Sequence, residues 1–139
     1  MATPDDATVQ RLLAAARAAR ERAYVPYSHF QVGAALLDEQ GRIHPGCNVE
    51  NAAYPQGVCA EAGALSALVL AGGTRIMAAL VVGEGPQPCT PCGGCRQKLR
   101  EFAAADTPVW VADPSGLRRR YTLAQLLPDS FGPEHLKDR

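Results

Sequence analysis

The chain has no net charge: 14 Lys and Arg residues are matched by 14 Asp and Glu. That balance removes the general attraction for polyanions, so DNA and RNA are not expected partners. No apolar run approaches the roughly 18 residues that a membrane span needs. The first residues carry Asp5 and Asp6 in place of an apolar stretch, so an unexported, soluble protein with no membrane contact is expected. Internal repeats, low-complexity tracts and linker-like segments are all missing, which excludes repeat architectures and leaves no place to divide the chain. The cysteines are five, an odd number that fits a disulfide framework poorly. Metal ligation in a reducing, cytoplasmic compartment explains them better. His29, His44 and His135 have no metal-ligand spacing.

A chain of 139 residues, 47% hydrophobic and 20% charged, suits one compact domain over 1–139. A domain of that size buries roughly two-thirds of its unfolded surface. Residues 5 to 23 read as a helix, with Val9, Leu12, Leu13 and Ala16 on one face and Pro26 as the stop. Residues 30–38 and 42–50 flank Glu39-Gln40-Gly41 as a hairpin, the second strand made irregular by Pro45 and Gly46. Residues 59–71 read as a largely buried helix closed by Gly72-Gly73. A strand over 76–82, a Gly- and Pro-rich loop and a helix over about 92–104 follow. The last elements are a strand over 108–113, a short edge strand over 117–121 and a helix near 123–127. Helices interspersed with buried strands predict a three-layer α/β/α sandwich around a mixed sheet of about five strands.

The chemistry concentrates at the starts of two of these helices. Cys59-Ala60-Glu61 opens one, and Pro91-Cys92-Gly93-Gly94-Cys95 opens the next. Thiols at helix N-termini feel free N–H groups and a partial positive charge, which favours the metal-binding thiolate. Cys92 and Cys95, three apart, can grip one ion from a single turn. Three protein ligands with one open position form the catalytic zinc pattern, whereas structural sites close with four. A lone Cys-x-x-Cys is equally a redox pair, and Cys89-Thr90-Pro91-Cys92 is a second one that would close the site as a zinc-stabilised binding module. Cys47 and Cys89 otherwise read as ordinary core thiols. A glutamate in a first helical turn is commonly a solvated charge or cap, yet Glu61, two positions after Cys59, is placed to move protons beside the metal.

A Cys-x-Glu segment followed by Pro-Cys-x-x-Cys is the zinc deaminase signature, in which the Glu is acid and base and not a ligand. Beyond it, the chain carries Tyr27-Ser28-His29-Phe30, Val32-Gly33-Ala34-Ala35, the segment from Gly46 to Pro55, Cys95-Arg96-Gln97 and the segment from Leu126 to Gly132. In these segments it closely resembles the small homotetrameric zinc-dependent cytidine deaminases over almost its whole length. The resemblance implies one zinc per subunit on Cys59, Cys92 and Cys95. It implies Asn48 and Glu50 on the ribose hydroxyls, Phe30 beside the pyrimidine and the Ala60 N–H on the pyrimidine carbonyl. Phe131, in a tail over 128–139, would reach a neighbouring subunit's site.

The implied reaction is hydrolytic deamination of cytidine and 2'-deoxycytidine in pyrimidine salvage. Zinc-bound hydroxide attacks C4 while Glu61 carries the protons and ammonia leaves. The same chemistry on another aminated heterocycle is the alternative. Many tetrameric relatives follow the catalytic Glu with an Arg that bonds the thiolates, whereas this chain has Ala62. The excess negative charge is then expected to fall to helix N-terminal N–H groups, helped by Arg96 unless that residue is a solvated helix charge.

Overall fold

In the computed structural model, which describes residues 3–137, five strands make one mixed sheet in the order β2-β1-β3-β4-β5. They are β1 (Val32–Asp38), β2 (Ile43–Cys47), β3 (Ile76–Gly83), β4 (Pro108–Asp113) and β5 (Gly116–Thr122). The β3/β4 pair is parallel and every other neighbour antiparallel. A parallel pair needs a crossover, and α3 (Gly93–Arg100) lies in it.

Side-chain alternation along the strands sorts the core into two halves, giving the expected three layers. On one face α1 (Asp6–Arg20) packs Val9, Leu12, Leu13 and Ala16 against Ala35, Leu37, Leu80, Val82 and Trp110. On the other, Ala60, Ala64 and Leu68 of α2 (Ala60–Leu70), Leu99 of α3, and Leu123 and Leu126 of α4 (Leu123–Leu126) cover Leu36, Ala79, Val81 and Val109. At about 25 cal/mol per Å² of apolar area, each fully buried Leu or Val contributes roughly 1.5–3 kcal/mol before entropy is charged. Among the described residues no helix is long and apolar enough to cross a membrane.

The element ends depart from the periodic reading for tertiary reasons. Helix α1 stops at Arg20, six residues before Pro26, because Tyr24 is drawn away to exchange backbone hydrogen bonds with Asn48 and Glu50. Strand β2 ends at Cys47, and Val49 makes only isolated bridges to Tyr24 and Val58. Helix α3 ends at Arg100, since the Phe102 carbonyl accepts from the Ile76 N–H and Ala103 bridges to the start of β3.

Pro45 and Gly46 do not disturb β2. The register runs unbroken from Gly33↔Cys47 to Leu37↔Ile43. As an edge strand β2 tolerates a missing donor, and Gly46 is needed because the backbone of Ala60 and Ala64 lies against it. This close approach sets α2, and with it the Cys59-Ala60-Glu61 segment, against the sheet. Of the tail over 128–139, residues 138 and 139 lie outside the described residues.

Candidate metal centre and the cavity beside it

Cys59 is the N-cap of α2 and Cys92 the N-cap of α3, both in extended backbone, and Cys95 sits in the first turn of α3. The two helix starts converge so that the three Sγ atoms lie within 4.8 Å of one another. Cys59 Sγ and Cys92 Sγ are 3.9 Å apart. A tetrahedral ion bound at about 2.3 Å to each sulfur holds sulfurs about 3.8 Å apart. Neither Cys47 nor Cys89 belongs to the group, so the described residues offer three sulfur ligands and not four. All five cysteines are free thiols.

The electrostatics also call for a cation. Burial pushes the Cys95 thiol far up, and the nearby Glu61 carboxylate and Cys59 add to it. Burial raises Cys59 as well, with the negative charge of Cys92 and Glu61 added and a hydrogen bond with Cys95 opposing. Cys92 alone is lowered, chiefly by the backbone N–H of Cys95, which is the helix-terminal compensation expected from the sequence. Glu61, 5% exposed, is raised by burial, against its own backbone N–H and the charge of Lys98. Two of the three thiols, Cys59 and Cys95, and the Glu61 carboxyl resist ionising without a partner. A soft divalent cation supplies that partner, and zinc fits both the donor set and the spacing.

A cavity of about 240 Å³ opens beside the sulfurs, lined by Phe30, Val32, Asn48, Cys59, Ala60, Glu61, Cys89, Thr90 and Cys92. Six of the residues singled out from sequence, Phe30, Asn48, Cys59, Ala60, Glu61 and Cys92, therefore share one space with two of the ligands' neighbours, Cys89 and Thr90. Asn48 is committed on both sides: its Oδ1 accepts from the Val32 N–H at 2.8 Å, and its Nδ2 donates to the Phe30 carbonyl at 2.9 Å. It fixes the segment that carries Phe30.

Two candidates lie elsewhere. Glu50 lines a second cavity, of about 360 Å³, with Tyr27, Ser28, Asn51, Tyr54 and Gly57. Its carboxylate accepts from the backbone N–H groups of Tyr27 and Ser28 at 3.0 and 3.2 Å and from the Ser28 hydroxyl. Phe131 lies along α3, its carbonyl bonded by Gln97 Nε2 at 2.9 Å and its ring stacked on His135 at 4.8 Å, 57% exposed.

Arg96 is neither a solvated charge nor a partner of the thiolates. Its Nε donates to the Pro91 carbonyl at 2.7 Å, Nη1 to the Leu126 carbonyl at 2.7 Å, and Nη2 to Thr90 Oγ1 at 3.0 Å. It clamps the loop that delivers Cys92. Sequence gave no sign of these targets, since two are backbone carbonyls and one belongs to a different helix. Cys89 and Thr90 as cavity lining were also missed, their only signal being nearness to Cys92.

A three-thiol cluster at two helix starts, with a buried carboxyl and an open cavity, defines the class as a zinc-binding domain of the α/β/α kind. Residues 6–111 match the family model described as cytidine and deoxycytidylate deaminase zinc-binding region. The chain is 45% identical to a cytidine deaminase of Sporosarcina psychrophila over 92% of its own length and 94% of that protein. It is 44% identical to one from Mycobacterium tuberculosis over 82% of each. The crystal structure of cytidine deaminase from Burkholderia pseudomallei superposes with a TM-score of 0.83 at 44% identity, covering 88% of this chain and 98% of that one. The chain belongs to the cytidine and deoxycytidylate deaminase family.

Proposed function

We propose that the protein hydrolytically deaminates cytidine and 2'-deoxycytidine to uridine and 2'-deoxyuridine with release of ammonia, as a step of pyrimidine salvage. The observation that carries this reading is the buried Glu61 carboxyl, which lines one cavity together with Cys59, Cys92 and Phe30. Relatives named cytidine deaminase at 43–45% identity over most of their length support it.

Cys59, Cys92 and Cys95 would hold the zinc. When bound, zinc supplies Lewis acidity that brings the pKa of water from 15.7 toward about 7, making a nucleophile available at neutral pH. Glu61 takes a proton from the incoming water and passes it to ring N3, so that C4 accepts the oxygen. It then takes the remaining proton from the oxygen now on C4 and delivers it to the amino nitrogen, so the C4–N bond breaks as C4=O forms and ammonia departs with the bonding pair. Burial suits this work, because it raises the carboxyl above its ordinary range, and a weaker acid holds the proton it has taken until it is delivered. The Ala60 N–H, a free donor of the first turn of α2, is assigned to the pyrimidine carbonyl, and Phe30 to the ring.

Asn48, through the lone pair and N–H that its bonds with Val32 and Phe30 leave over, and Glu50 are assigned to the ribose hydroxyls. For Glu50 this requires exchange of its bonds with Ser28 for bonds to sugar. We assign Phe131, with the tail over 128–139, to a neighbouring subunit's site in a homotetramer; its exposed ring, held away from its own cavity, supports this. The whole chain is taken as one domain, and the five free thiols favour the cytoplasm. The test is incubation of zinc-loaded protein with cytidine. One uridine and one ammonia should appear per cytidine lost, from a species whose light-scattering mass is four chains. An unchanged cytidine spectrum would refute the activity, and a monomer mass would refute the shared site.

A further inference from the structure

Cys89 is a cavity residue that the reaction does not use. It sits three positions before Cys92 but outside the group of sulfurs that can share an ion. The loop after β3 folds it back onto Gly83, so closely that a Cβ on that glycine would lie 2.5 Å from Cys89 Sγ and 3.5 Å from Phe30 Cζ. The bare backbone of Gly83, the Cys89 thiol and the edge of Phe30 thus form one continuous piece of wall. Partly buried, Cys89 packs against the core and lines the same cavity as Glu61 and Asn48. Burial raises its thiol, and the Glu61 carboxylate adds to that, so it remains an uncharged, apolar group.

Ring connectivity then orients the substrate against this wall. C4 of a cytosine has two ring neighbours, N3 and C5. If Glu61 serves N3 and the amino group, C5 must lie on the opposite flank of C4, toward the apolar lining. That lining is Phe30, Val32, Ala60 and Cys89, and Ala60 is assigned above to the pyrimidine carbonyl, away from C5. Phe30 is taken by the ring face, and Val32 is tied through its N–H to Asn48, on the sugar side. Cys89 shares its loop with Thr90 and the ligand Cys92, on the C4 side.

We propose that Cys89 sets the size limit for a substituent on C5 of the pyrimidine; this rests on the nucleoside reading given above. The cavity admits a hydrogen there and crowds a methyl group. One methyl group in a closed pocket changes discrimination by about tenfold or more.

The test compares wild-type protein with Cys89→Ala and Cys89→Ile. The ratio of kcat/KM for 5-methylcytidine to that for cytidine should rise about tenfold in Cys89→Ala and fall in Cys89→Ile. Zinc should stay at one per chain in both. Calorimetric affinities for 5-methyluridine and uridine should shift in the same sense, and they need no turnover. The proposal is overturned if both ratios stay at the wild-type value while cytidine is still consumed, or if Cys89→Ala loses its zinc. Should the wild type bind neither uridine nor cytidine, the nucleoside reading fails and this inference falls with it, a result distinct from an unchanged ratio.

Discussion

Strand β1 joins two polar clusters that follow opposite rules. At its far end, Asp38 is fully enclosed and accepts four hydrogen bonds. They come from the Gln40 and Arg42 N–H groups at 2.8 and 2.9 Å, Arg42 Nε at 2.7 Å and His44 Nε2 at 2.8 Å. Burial would raise this carboxyl, but the bonds from His44, the two backbone groups and Arg42 outweigh it and hold it at about 2. At the near end, about 20 Å away at 3.3 Å per residue, Val32 borders the cavity of the thiols and Glu61. There burial raises three of the four groups, Cys59, Cys95 and Glu61, and like charge adds to it at the two thiols. The first cluster is complete within the chain. The second is complete only with a cation and a substrate, and that difference separates a structural charge from a working one.

Removing a sulfur should have the largest effect of any single change. Cys92→Ala should bind no stoichiometric zinc and show no turnover, read by metal analysis and ammonia release; retained zinc would move the ligand set elsewhere. At the other cluster the effect should fall on stability alone. Asp38→Ala leaves Arg42 and His44 facing an empty acceptor and should cost roughly 3 kcal/mol in denaturant unfolding, with zinc still bound.

The same cluster has a pH signature. Because the folded pKa of Asp38 is depressed, its contribution is fully present above the unfolded value near 3.9 and is lost as pH falls through about 2. Asp38→Asn should flatten that limb of the acid-unfolding curve, and an unchanged limb would contradict the assignment. The smallest effect is expected at Arg96→Gln, which frees the Pro91 carbonyl beside Cys92. Zinc affinity by chelator competition should weaken about tenfold, as for other groups that orient a ligand. No change would reduce Arg96 to a tie between Thr90 and α4.

These two regions also differ in how far sequence exposes them. Cys59, Glu61, Cys92 and Cys95 were legible because ligation requires particular residue types at fixed offsets from helix starts. The layers were legible for a similar reason, since Val9, Leu12, Leu13 and Ala16 repeat at helical spacing and are all buried. Asp38 and His44 carry no such signature. One looked like the last residue of a strand and the other like an unassigned histidine, and only the hairpin register that sets Leu36 opposite His44 brings them together. Helix ends at Arg20 and Arg100 were misread because backbone pairing of Tyr24 and Phe102 with distant strands overrides local preference. Asn48 and Glu50 fall inside the strand expected over residues 42–50. The strand ends at Cys47, and the two residues border different cavities.

The central claim is that the thiols hold the ion while Glu61 moves the protons. Glu61→Gln separates these roles with little change of shape. Zinc content and cytidine turnover should be measured on the same preparation. The protein should keep one zinc per chain while turnover falls by about 10³-fold, within the range of acid–base catalysis. Turnover close to wild type, or loss of the zinc, would contradict it.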